Sequence, residues 1–150
     1  LRPVIKDRFR DIAIFDLSAS QELCKKYCNG LSIDDLISSK DVYVGMKVFW
    51  NGTPIGIPDF YNEAIIRKKI EEDEPLGNIK IEKDRTFIMN AGITNGTSGT
   101  PVWTEVNGKN KIAGVANFVM YISGSNGGAV VMDSYIDEIR MYEEANKKRD

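Results

Sequence analysis

Over much of this chain apolar residues recur every second position rather than every third or fourth, the spacing of half-buried strands. Asp11–Leu17 (DIAIFDL) is a short, mostly apolar run and predicts a buried strand. From Asp41 to Trp50, Val42, Val44, Met46 and Val48 fall on one side, while Tyr43 and Phe49 fall on the other, so both faces are expected to be partly covered. Asn51-Gly52 is a tight-turn signal, and Pro54, Gly56 and Pro58 mark the next stretch as loop. Residues 61–72 fit two patterns: Ile66 and Ile70 suit a helix, whereas Ile65-Ile66 before a charged run suits an edge strand. Strand is preferred, because Ile79 and Ile81 alternate with Lys80 and Glu82 beyond a turn at 74–78 and would complete a long hairpin.

Further strands are predicted at Thr86–Met89, Val102–Thr104, Lys111–Ala116 and Ala129–Met132, with Asn107-Gly108 turning the middle pair and a loop at 124–128 before the last. Helical signals are few. A short piece is expected around Gln21–Tyr27, and Ser134 with Asp137 forms a capping box ahead of a helix striped by Tyr135, Ile136, Ile139 and Tyr142. Many short strands closed by one terminal helix predict an all-β barrel or sandwich.

A chain of 150 residues suits one domain with a sizeable core. Its net charge of −2 gives no field to gather nucleic acid. No apolar run is long enough for a membrane span. Cys24 and Cys28 stand four apart, as two thiols on one helix face, and two sulfurs without histidine do not make a zinc site, so no metal or cofactor is expected. Sequons at Asn51-Gly52-Thr53 and Asn95-Gly96-Thr97 lean the reading toward a cytoplasmic, bacterial or viral setting, since a glycan on the second would cover the motif described next.

That motif is Gly96-Thr97-Ser98-Gly99-Thr100-Pro101. A glycine two positions before a serine lets the backbone turn until both N–H groups face one spot, which is an oxyanion hole. Gly99 leaves room for substrate and Pro101 restrains the chain as it enters the next strand. A serine needs a base to act as a nucleophile, most often an imidazole, yet the chain contains no histidine.

The serine turn between two strands, followed by a hairpin to Ile112–Val115, resembles the second barrel of trypsin-like serine peptidases of bacterial or viral type. Asp11-Ile12-Ala13-Ile14 resembles the segment carrying that family's triad aspartate, and Gly127–Val131 before a helix resembles its last strand. The resemblance covers roughly 11–145 and implies a chymotrypsin-like double β-barrel with an incomplete first barrel and a C-terminal helix. In that layout about 1–50 is the remainder of the first barrel and a connection, 51–132 the second barrel and 133–147 the helix.

By the same resemblance Ser98 is the nucleophile, Gly96 and Ser98 supply the oxyanion amides, and Asp11 orients the base. Asn117 and Phe118 pair with substrate backbone, and Gly92 lies at the base of the specificity pocket, where a glycine gives no support for Lys/Arg preference. Thr97 stands where digestive members carry an aspartate, so activation through a new N-terminus is not implied. The family's histidine lies before the aspartate, and only ten residues precede Asp11, so the histidine is expected outside this chain. The expected partners are a protein or peptide substrate, and a missing N-terminal segment or another chain that completes the barrel. The alternative is a catalytically inactive, peptidase-like fold serving as a protein-binding or regulatory module. Lys68 and Lys69 have no spacing that would make them a substitute base, and Asp34-Asp35 and Glu71-Glu72 read as solvated faces.

Overall fold

Val48, Trp50 and Gly52 point inward and Lys47 and Asn51 outward along β3 (Lys47–Gly52), and this alternation shapes the whole molecule. The computed structural model describes residues 3–8, 11–17, 20–27, 32–76, 79–91, 93, 95–121 and 125–147. Six strands close an antiparallel barrel in the order β10-β7-β4-β3-β8-β9. Besides β3 they are β4 (Phe60–Lys69), β7 (Thr86–Met89), β8 (Pro101–Val106), β9 (Lys109–Tyr121) and β10 (Ser125–Val130). Inward side chains from all six, among them Trp50, Ile66, Phe87, Met89, Val102, Ala113 and Ala129, form one core.

Two small sheets lie outside the barrel: β1 (Pro3–Asp7) with β2 (Ile12–Phe15), and β5 (Glu74–Leu76) with β6 (Ile79–Ile81). A short helix α1 (Gln21–Tyr27) falls where the sequence places one, and α2 (Ile136–Lys147) closes the chain. Ile12, Val130 and Tyr135 form a second, smaller core that seats β2 against the barrel and α2. No helix among the described residues is long and apolar enough to cross a membrane.

Several boundaries differ from the sequence reading. Asn51-Gly52 continues β3 instead of turning, paired with Tyr61 and Phe60, and the glycine makes room for Thr97, whose Cγ2 methyl would lie 2.6 Å from a Cβ. The chain reverses at 53–59. Val44 is exposed rather than buried, since Gly45 at φ +95 breaks the strand ahead of Lys47. The strand expected over 61–72 is β4, which stops at Lys69; it pairs with β3 and β7, and β6 pairs with β5, so the long hairpin does not form. Ser125–Gly128 belongs to β10 although its composition suggests a loop. A 3-10 turn (Asp133–Tyr135) precedes α2, starting from Met132 without a side-chain cap, so the backbone of Ser134 lies inside that turn and not ahead of the first helical turn. The Asp133 carboxylate instead accepts hydrogen bonds from the Ser39 amide at 2.7 Å and the Ser38 hydroxyl at 3.5 Å. Asn107 and Gly108, both at positive φ, turn β8 into β9 as predicted.

Candidate functional site

The serine turn is fixed on both sides by backbone hydrogen bonds. The Gly99 amide donates to Ala116 O at 2.7 Å, the Ala116 amide to Thr100 O at 2.9 Å, and the Thr100 amide to Thr97 O at 3.2 Å. Thr97 is buried and anchors the turn, while Ser98 is exposed. Gly96 and Gly99 have φ of +94 and +86, a region that favours glycine. At Gly96 the requirement is also steric, because a Cβ would meet Thr53 O at 2.4 Å. Ile55 N donates to Asn95 O at 3.0 Å, so the β3–β4 loop braces the turn. Among the described residues nothing accepts a hydrogen bond from the amides of Gly96 or Ser98.

Asp11 reaches the same region from another element. It ends the β1–β2 turn at φ 52, a backbone state that aspartate tolerates better than most residues, and its side chain is exposed. The predicted strand therefore begins one residue later, at Ile12, leaving Asp11 at its rim. Asp11 and Ser98 line one cavity of about 250 Å³, whose walls include Ala13, Val115, Ala116 and Met132.

Asn117 lines that cavity too. On β9, Ala116 pairs with Ala129 and Phe118 with Gly128, so Asn117 is the extra residue of a β-bulge. A bulge re-aims a side chain that regular pairing would fix. Phe118 contributes strand pairing to β10. Gly92 lies outside the described residues, as does Cys28. Ile93, next to Gly92, is buried against Gly127, where a Cβ would lie 2.4 Å from its Cγ1.

Sequence reasoning did not find Met132 or the bulge. Met132 lies far along the chain in a turn with no motif, and a bulge has no reliable one-sequence signal. Among the described residues no group of three or more potential ligands could hold a metal ion. Lys69 is committed elsewhere: its Nζ donates to Ser39 O at 2.7 Å and lies 3.7 Å from Asp84. Asp35 closes a local capping box by accepting from the Ser32 amide at 2.7 Å.

The sequence matches no family profile and no curated protein. Among solved structures it is similar to the MamO protease domain from Magnetospirillum magneticum in its apo form, with a TM-score of 0.50 and 17% identity over 70% of this chain and 51% of that one. The chain thus spans about half the length of that structure. At this identity the likeness speaks for the fold alone, an antiparallel β-barrel shared with that domain.

Proposed function

We propose that this chain is the catalytic-serine part of a serine endopeptidase whose general base is a histidine outside these 150 residues. The observation that carries the reading is the shared cavity: Asp11 on the β1–β2 hairpin and Ser98 on the barrel open onto one space of about 250 Å³. An imidazole seated there would have a carboxylate on one side to hold its tautomer and a hydroxyl on the other to deprotonate.

In this mechanism Ser98 Oγ attacks the scissile carbonyl carbon as its proton passes to the imidazole. The oxyanion is held by the amides of Gly96 and Ser98, each such donor lowering the barrier by about 2.7–4 kcal/mol. The imidazolium then protonates the leaving amine, and water releases the acyl group by the reverse sequence. Asn117 and Phe118 offer the strand on which substrate backbone is held. Gly92 takes the base of the specificity pocket in this reading, and a glycine there offers no charge to hold Lys or Arg at the cleavage point.

A second reading, a peptidase-like binding module without turnover, is favoured by the absence of histidine from the chain. A fluorophosphonate probe separates the two. The chain alone is expected to label slowly, and added imidazole should speed labelling by about tenfold or more, since a positioned base contributes roughly 10²–10⁴ and a diffusing one less. Labelling should vanish in Ser98→Ala, and Asp11→Asn should remove most of the imidazole gain. A folded chain whose labelling is indifferent to imidazole and to Asp11 supports the binding module instead.

A further inference from the structure

On the outer wall of the barrel, away from the core side chains Val48 and Trp50, Phe49 stands between two cross-strand partners. It pairs with Trp103 on β8 and with Glu63 on β4. Tyr61, two residues before Glu63, leans on Phe49 with ring centroids 6.1 Å apart at 34°. Its hydroxyl donates to Glu63 Oε1 at 2.8 Å, and this bond raises the Tyr61 pKa above its ordinary value of 10.0. The carboxylate is thereby held beside an aromatic ring that is itself 55% exposed.

Two cavities meet at these rings. One, of about 570 Å³, also takes in Lys47, Glu63 and Glu105, and the other, of about 250 Å³, takes in Pro101 and Trp103; Phe49 and Tyr61 line both. The larger is of the size that small ligands or a residue or two of a peptide occupy. Its charges are two carboxylates against one ammonium, and among the described residues none of the three forms an ion pair.

The chemistry of a guest follows from this lining. An anion would meet Glu63 and Glu105. A wholly apolar guest would strip water from both carboxylates without replacing it, which is costly. A cation on an apolar stem satisfies both features, because aromatic faces attract positive charge and the stem covers the rings. Guanidinium fits better than ammonium, being planar, weakly hydrated and able to stack while it bonds a carboxylate with two N–H groups. We propose that this groove binds an arginine side chain presented by a polypeptide. The proposal is independent of the serine site.

The probe is the blocked tripeptide acetyl-Gly-Arg-Gly-amide at low salt, with its citrulline and norleucine counterparts as controls. Binding is followed by the change in tryptophan fluorescence, in which Trp103 lines the groove and the buried Trp50 gives a constant background. The arginine peptide should bind at least about tenfold more tightly than either control. Tyr61→Ala should weaken it about fivefold and Glu105→Gln about threefold, and both are exposed positions at which folding is readily verified by circular dichroism. Lys47→Gln should strengthen binding about threefold by removing the competing charge, a gain that damage to the fold would not produce. Equal binding of the citrulline peptide, no saturation up to about 10 mM, or no gain in Lys47→Gln overturns the proposal.

Discussion

Gly96 and Gly99 bracket Ser98 with nearly the same φ, but their surroundings differ. A Cβ at Gly99 would meet open space, whereas one at Gly96 would strike the Thr53 carbonyl at 2.4 Å, with Ile55 N and Thr53 C also within 3.4 Å. Both substitutions to alanine incur the cost of positive φ, about 1–2 kcal/mol. Gly96→Ala must in addition push the β3–β4 loop away, so its loss of stability should exceed that of Gly99→Ala by roughly 1–2 kcal/mol. Urea unfolding of the two variants measures this directly, and equal midpoints would show that the brace by Thr53 and Ile55 yields freely. The glycines of the motif were legible as glycines from sequence; which one was sterically obliged was not, because Thr53 lies more than forty positions away.

At the scale of elements, strands marked by a short unbroken run of buried residues or by a strong turn were the legible ones. Thr86–Met89 and the hairpin around Asn107-Gly108 fall where local pattern puts them. Errors arose where a glycine served packing rather than turning, as at Gly52 and Gly127, since sequence alone does not distinguish a glycine in a bend from one that makes room. Strand pairing was less legible still: β4 turns back on β3 across 53–59 and then joins β7 past the intervening β5–β6 sheet. The thinnest seam of the barrel runs between β3 and β8, where Phe49↔Trp103 is the one registered pair. There the buried Thr104 hydroxyl donates to Lys47 O at 2.8 Å, a tie between side chain and strand that no local pattern reveals. Thr104→Val keeps the shape and removes the bond, and should cost about 1–2 kcal/mol. Amide exchange should quicken at Val48–Trp50 while the β9–β10 pair is unchanged; a uniform acceleration would mean that the seam has no separate role.

In the whole molecule, Asp11 and Ser98 meet only because the β1–β2 hairpin docks on the barrel and on α2. The shared core of Ile12, Val130 and Tyr135 supplies apolar contact, and two phenols add direction. Tyr135 donates to Asp7 Oδ2 at 3.1 Å and Tyr142 to Asp16 Oδ2 at 3.0 Å, one on each side of the turn that carries Asp11. Neither pair was legible in sequence, where Tyr135 and Tyr142 read only as members of an apolar stripe. Hydrogen bonds to charged acceptors contribute more than neutral ones, so each is expected to hold the hairpin by about 1.5 kcal/mol or more. Replacing both tyrosines by phenylalanine keeps the rings and their packing. The hairpin should then open independently of the barrel, with exchange at Ile12–Phe15 rising about thirtyfold or more and exchange in β7 and β8 unchanged. The same variant should lose the imidazole-dependent part of fluorophosphonate labelling while keeping the slow background, because Ser98 stays in place and Asp11 does not. If exchange rises equally in hairpin and barrel, the two form one cooperative unit; if it rises in neither, the apolar contact alone positions Asp11.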